Sequence, residues 1–251
     1  MPATENMLDL AAVAPGSCIL DVGCGSGEQT IIAARRVGET GHVLAIDIAA
    51  PMIAAAEKTV ATAGLRNVST RVCSADALAP GEDLFDGAIS RLVLMLIPDP
   101  VAAAKAVLNV LRPGAKFTAM VVGDLEKTGF SAKALDILAR HGGKTDWEDK
   151  PGSIRSLADP AKLEAVLRNA GFADVSARRV PYVQRVPSAA LMATIIRDGY
   201  AFYKSLIAEL PPAGQDAAWT EMEEMLKTFE GAEGFAGFGE MNLVVGRRPT
   251  N

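Results

Sequence analysis

This chain is poor in the residues that carry most protein chemistry. Two histidines and three cysteines occur in 251 residues, and aromatic residues make up only 5%. Cys18, Cys24 and Cys73 form an odd set with no Cys-x-x-Cys spacing. That argues against both a zinc site and a disulfide framework, so no metal is expected and a reducing cytoplasm is the expected compartment. Positive charge is not in excess: the net charge is −5, which disfavours a nucleic-acid or anionic-membrane partner. No apolar run approaches the ~18 residues that cross a bilayer, so no integral membrane segment is expected. The start, Met1 to Glu5, has no basic region followed by an apolar core, unlike a secretory leader. Repeats, low-complexity tracts and Pro/Ser-rich linkers are also missing, and a single domain over residues 1–251 is the expectation.

What is present is concentrated at residues 19–30, Ile-Leu-Asp-Val-Gly-Cys-Gly-Ser-Gly-Glu-Gln-Thr. Ile19 to Val22 reads as a short buried strand, and Gly23, Gly25 and Gly27 then remove three side chains where a helix should begin. Glycine there permits positive φ and close approach of a ligand to the backbone. A strand, a glycine turn and a helix N-terminus make a cradle of nucleotide type. A second strand, His42 to Ile46, ends in Asp47, twenty positions after Gly27. At that offset a carboxylate closing the second strand meets the two vicinal hydroxyls of a ribose. A third strand near Val68 to Cys73 leads into Ser74-Ala75-Asp76-Ala77, and a fourth from Phe85 opens into Ser90-Arg91-Leu92. In a parallel sheet all four segments lie beyond carboxyl ends of strands, the edge where open α/β sheets bind ligands.

These pieces resemble the class I S-adenosylmethionine-dependent methyltransferases, in the small-molecule branch that includes quinone C-methyltransferases. The matching stretches are ILDVGCGSGEQT, GHVLAIDIAAPMI, CSADAL, FDGAISRLVLMLIPDP and VLRPGAKF, with LADPAKLEAVLRNAGFADV further on. The resemblance implies an α/β fold: a Rossmann-like, mostly parallel sheet of seven strands, helices on both faces, and an antiparallel last strand. It implies S-adenosylmethionine as cofactor and a small-molecule acceptor. By the same resemblance Asp47 holds the ribose hydroxyls, Ile48 and Met52 line the adenine, and Asp76 and Ala77 contact its edge. The backbone at Gly23, Cys24 and Gly25, with Ser90 and Arg91, borders the methionine part. The chain departs from its relatives in having few residues ahead of the segment near Leu8, where they carry helices that fold over the cofactor.

Beyond the first strands the pattern continues as helix and strand. Pro51 begins a helix, Pro100 to Leu111 forms another stopped by Arg112-Pro113-Gly114, and Lys116 to Val122 is a fifth strand. Asp159-Pro160 opens a helix that Gly171 closes, and strands follow at about 174–186 and 242–247. Two helical insertions, at about 124–156 and 188–230, interrupt the alternation. In the second, Leu191, Ile195, Phe202, Leu206 and Leu210 fit one helical face, and Trp219, Met222, Leu226 and Phe229 another. Both insertions read as a substrate lid, with core thickening or a homodimer face as the alternative. Their alanine- and leucine-rich character favours a hydrophobic acceptor.

An activated methyl group needs alignment more than a strong base, and orientation alone contributes up to roughly 7–11 kcal/mol in favourable systems. No catalytic residue is assigned. His42 reads as structural. His141 and Tyr203 are the residues of the insertions placed toward a substrate, against the plainer readings of a solvated helix-end histidine and a packed ring. Trp147 and Tyr200 read as packing. Asp21 either caps backbone amides of the glycine turn or meets the cofactor amine; Arg91 alternatively pairs with Asp99 or a neighbouring helix. Cys24 reads as a small residue in a tight turn rather than a reactive thiol. Two other functions are open to this pattern: a cofactor-binding protein of the same fold with non-methylating or no catalysis, and an NAD(P)-dependent oxidoreductase. The latter rests on Tyr200-x-x-x-Lys204 with Ser188 upstream, but the glycine turn and the end of the fourth strand do not follow that family.

Overall fold

The computed structural model describes residues 2–79, 84–124, 129–144 and 152–250. Trp147 and the middle of the first insertion lie outside them. The chain forms two compact units: Met1–Val121, Pro160–Arg178 and Asn242–Asn251 in the first, Val122–Asp159 and Arg179–Met241 in the second.

The first unit begins with α1 (Pro2–Leu10), then β1 (Cys18–Val22), α2 (Glu28–Val37), β2 (His42–Asp47), α3 (Ala50–Thr62), β3 (Val68–Val72), β4 (Phe85–Arg91), α4 (Pro100–Val110) and β5 (Leu111–Val122). Single 3-10 turns at Ala75–Ala77 and Leu94–Leu96 lie before and after β4. The apolar runs of β1 and β2 are buried because they occupy the middle of the sheet, with Ile19, Leu20, Val43 and Ala45 at 1% exposure or less. β1 pairs in parallel with β2 and with β4, β2 with β3, and β4 with β5. Their carboxyl ends therefore share one edge, where the glycine turn, Asp47 and Ser90-Arg91 stand. β5 starts at Leu111, immediately after α4 and five residues ahead of the expected Lys116. An irregularity in the β4 pairing between Phe85 and Gly87 absorbs the Pro113-Gly114 turn and lets Leu111 pair with Phe85.

α6 (Pro160–Asn169) and β6 (Ala173–Val186) follow. The last strand, β8 (Gly234–Arg247), has 14 residues, more than twice the expected length. It is antiparallel to β5: Gly114 N–H donates to the Arg248 carbonyl at 3.0 Å and Gly123 N–H to that of Glu240 at 2.9 Å, so one index rises as the other falls. The sheet order is β3-β2-β1-β4-β5-β8-β6, and the two-residue β7 (Glu230–Gly231) pairs with β8, making eight strands among the described residues where seven are expected.

The second unit holds α5 (Gly129–His141), α7 (Ala189–Gly199), α8 (Ala201–Ile207) and α9 (Pro212–Lys227). α5 falls within residues 124–156, and α7, α8 and α9 within 188–230. The single face drawn through Leu191 and Leu210 does not survive: the chain leaves helical geometry at Tyr200, whose φ and ψ are −118° and 94°. α7 accordingly buries Ala189, Met192, Ala193 and Ile196, and Leu191 is 40% exposed. Ser188 caps α7, its Oγ accepting from Leu191 N–H at 3.1 Å.

Candidate active site

The glycine turn is fastened to the end of β2 by backbone and side chain together. Gly23 and Cys24 both donate N–H to the Ile46 carbonyl, at 2.8 and 2.9 Å. Gly25 N–H donates to Asp47 Oδ2 at 3.0 Å, and Asp47 Oδ1 accepts the Ala49 amide at 2.9 Å. Glycine is required at Gly23 for two reasons. Its φ is +70°, and a Cβ there would stand 2.3 Å from Val93 Cγ2. Gly25, at φ +54°, differs: a Cβ would meet no atom within 4 Å. The turn is therefore packed on one side and open at Gly25.

Other segments reach the same edge. The Asp47 carbonyl accepts Cys73 N–H at 2.9 Å, which brings the Ser74–Ala77 turn beside the end of β2. Asp76 and Ala77 are exposed there, and Ser74 Oγ donates to Asp76 Oδ1. Ile48, which in most sequences would be core, is 74% exposed directly after Asp47, and Met52 is half-buried. An isoleucine left in water next to a polar turn is a ready apolar contact for a flat ligand. Ser90 is buried at 1% exposure, and its Oγ has no hydrogen-bond partner among the described residues. Leu92, two residues on, holds φ +61°, a strained conformation for a side chain of that size.

Asp21 does not cap the turn's amides. It is fully buried, accepting Gln29 Nε2 at 2.7 Å and Thr30 Oγ1 at 2.6 Å from the first turn of α2. Burial pushes its carboxyl up to about 6; those two hydrogen bonds and the charge of Arg91 oppose that rise. Thr30 escaped notice in the sequence because it lies with Ala33, Ala34 and Val37 on the buried side of α2. Cys24 is buried at 7% exposure, and burial together with the charges of Asp21 and Asp47 pushes its thiol up to about 12. A thiol held so far from ionisation is not a nucleophile. Arg91 does not pair with Asp99, which caps α4 through the Ala102 amide. It donates instead to Thr4 Oγ1 at 3.1 Å and faces Glu28 Oε2 at 3.5 Å.

The remaining candidates each have a polar partner of their own. His42 opens β2 at its amino end, with Nε2 3.0 Å from Ser69 Oγ. In the second unit His141 Nε2 lies 2.7 Å from Glu221 Oε2, and Arg140 pairs with the same carboxylate. Tyr203 is 4% exposed with its hydroxyl 2.7 Å from Ser131 Oγ, and burial raises its phenol well above the usual range. Its polar end is already engaged.

Residues 14–169 match the family described as a methyltransferase domain. The chain belongs to the class I S-adenosylmethionine-dependent methyltransferases. A nocamycin O-methyltransferase of Saccharothrix syringae is 32% identical over 221 residues, 82% of this chain and 77% of that protein. A ubiquinone/menaquinone biosynthesis C-methyltransferase of Hydrogenovibrio crunogenus is 26% identical over 178 residues, 67% of this chain and 70% of its own. Among solved structures, the YcgJ protein of Bacillus subtilis superposes with a TM-score of 0.64 at 16% identity, covering 100% of this chain and 99% of that one; at that identity the likeness is one of fold.

Membership of this family sets aside the oxidoreductase reading. The supposed Tyr-x-x-x-Lys motif is not a site either, since Tyr200 is the break between α7 and α8 and Ser188 is a helix cap. The methyltransferase uses S-adenosylmethionine, and the residues present fit that group. Gly25 leaves open room, Asp47 offers a carboxylate at its rim, and the exposed Ile48 and the unpartnered Ser90 Oγ provide one apolar and one polar contact. Among the described residues no helix is long and apolar enough to cross a membrane.

Proposed function

We propose that this methyltransferase binds S-adenosylmethionine along the carboxyl edge of β1 to β4 and methylates a small, hydrophobic acceptor in the cytoplasm. The bound cofactor supplies a sulfonium whose methyl group is already activated for transfer. The chain's own part is to hold and orient. Asp47 accepts from the ribose hydroxyls; Ile48 and Met52 flank the adenine, whose edge meets Asp76 and Ala77. Gly23, Cys24 and Gly25 present backbone to the methionine part, with Ser90 beside them. We further read the two compact units as one methyltransferase domain, the second gathering the helical insertions.

The observation that carries this reading is the bond from Gly25 to Asp47, which fixes a carboxylate at the mouth of an open glycine turn. The buried states of Cys24 and Tyr203 support a mechanism of proximity without a nucleophile or base from either residue. We keep His141 and Tyr203 as the residues of the insertions placed toward the acceptor, with Glu221 and Ser131 as their polar partners. The test is incubation of the protein with isotopically labelled S-adenosylmethionine and a host metabolite extract, followed by mass analysis. A labelled product bearing one extra methyl group on an apolar small molecule is expected. Label that appears only in protein or nucleic acid would exclude the small-molecule acceptor.

A further inference from the structure

Thr4 is out of place by composition. The buried face of α1 and the residue after it runs Thr4, Met7, Leu8 and Ala11, all at 1% exposure or less. A hydroxyl on an otherwise apolar stripe costs free energy unless a partner compensates it. The partner is Arg91, whose Nη1 donates to Thr4 Oγ1 at 3.1 Å across 87 positions of chain. The other end of the guanidinium faces Glu28 Oε2 at 3.5 Å, and Glu28 is the first residue of α2, directly after Gly27. One planar group thus touches the helix that begins the chain and the helix that receives the glycine turn. Arginine suits this because its donors fork in fixed directions and it keeps its charge at any working pH.

The surroundings point the same way. Gly27 stands at the N-cap of α2 in a left-handed conformation and makes no side-chain cap bond, so the first turn of α2 depends on its neighbours for fixity. The Arg91 charge also acts on Asp21, which holds Gln29 and Thr30 of that same turn. α1 is tied down a second time where Arg36 of α2 pairs with Glu5 and Asp9. Those pairs secure the outer side of α1, where Glu5 and Asp9 are exposed, whereas Arg91 reaches its buried face through Thr4.

We propose that Arg91 is a positioning residue, pinning α1 to the first turn of α2 and so holding the glycine turn in the shape that receives the cofactor. This rests on the proposed cofactor site. It replaces the expectation that Arg91 itself borders the methionine part: the residue acts through Thr4 and Glu28. Docking of α1 and occupation of the glycine turn are then linked, and each favours the other by the same factor.

Thr4→Val, Arg91→Gln, the double variant and Asp47→Ala test this. S-adenosylmethionine affinity is read by calorimetry, and amide hydrogen exchange of α1 with and without cofactor. Thr4→Val keeps the shape of its buried site and removes only the acceptor. Each single variant is expected to weaken affinity on the order of tenfold. The double variant is expected to lose little more than the worse single one, because both remove one contact. In the wild type the cofactor slows exchange in α1, and in Thr4→Val that slowing is lost. A purely structural contact would lower the melting temperature and leave affinity and the cofactor-dependent exchange intact, which overturns the proposal. Loss in Arg91→Gln with none in Thr4→Val also overturns it, in favour of direct ligand contact. Asp47→Ala separates the two readings: if it alone loses binding, the pin is wrong and the site stands. If it binds as the wild type does, the site itself is misplaced.

Discussion

Asp47 and Gly25, twenty-two residues apart, are joined at 3.0 Å by the Gly25 amide and the Asp47 Oδ2 oxygen. The bond ties the end of the second strand to the glycine turn that follows the first. It also leaves the carboxylate, which accepts Ala49 N–H through its other oxygen, fixed in orientation rather than free to rotate. A carboxylate oxygen has room for more than one donor, so both oxygens keep capacity for a diol.

Replacing Asp47 by alanine removes that acceptor and one anchor of the turn. Affinity for S-adenosylmethionine is expected to fall at least tenfold, on the order of 1.4 kcal/mol or more, measured by calorimetry. Asp47→Asn, which keeps one acceptor oxygen, should lose less. Equal affinity in all three proteins would remove Asp47 from the site.

Gly23 and Gly25 have similar φ values and should respond differently. A Cβ on Gly23 collides with Val93, a short branched side chain with little room to turn. Gly23→Ala is therefore expected to cost about 2–4 kcal/mol in folding stability from overpacking and the left-handed backbone together. A Cβ on Gly25 meets no atom of the protein, so Gly25→Ala should cost only the backbone strain, about 1–2 kcal/mol. Gly25→Val should nonetheless abolish cofactor binding, because its side chain occupies the open side of the turn. Denaturation and titration of these variants check both halves; unaltered titration of Gly25→Val means the ligand does not enter there.

Much of this site is readable before folding because its parts follow strands. Ile19–Val22 and His42–Ile46 are short apolar runs, and a run that ends in glycine or in Asp47 marks its own carboxyl end. The partners of Asp21 and Arg91 carry no such mark. Thr30 looks like any small residue on a helical stripe, and the bond from Arg91 to Thr4 spans 87 positions without periodicity. The second insertion misleads for a different reason. A stripe from Leu191 to Leu210 presumes one continuous helix, and one non-helical residue, Tyr200, shifts the phase of everything after it. β7 escapes because two residues of a hairpin have no alternation to detect.

Asp21 makes stability depend on pH in a definite sense. Its carboxyl is raised from 3.8 to about 6 by burial. Below about pH 3 it is protonated in both the folded and unfolded chain; between there and about pH 6 the folded chain holds the proton that the unfolded chain releases. Its contribution to stability is therefore fully present at low pH and declines as pH rises through that window, by about 3 kcal/mol in all. Asp21→Asn keeps the shape and an acceptor for Gln29, and the Thr30 hydroxyl can turn to accept from the new amide. Urea denaturation at pH 3 and pH 7 should show the wild type losing about 3 kcal/mol relative to Asp21→Asn on going up in pH. Parallel behaviour of the two proteins would mean the carboxyl titrates as an ordinary one.

Tyr203 and Ser131 make the corresponding test in the second unit. Their hydroxyls are 2.7 Å apart and both residues are buried, so neither has water as a substitute partner. Tyr203→Phe removes one member and leaves Ser131 Oγ without it, which is expected to cost about 1–3 kcal/mol. Ser131→Ala in the same background removes the orphaned hydroxyl and should restore part of that loss, since a pair of apolar groups leaves nothing unsatisfied. Cofactor affinity should stay at the wild-type value in both variants, because their contact lies wholly among the helices of the insertions. Turnover at saturating acceptor then decides what Tyr203 does: unchanged turnover assigns it to packing, whereas a loss of turnover with stability intact would assign its hydroxyl to the substrate.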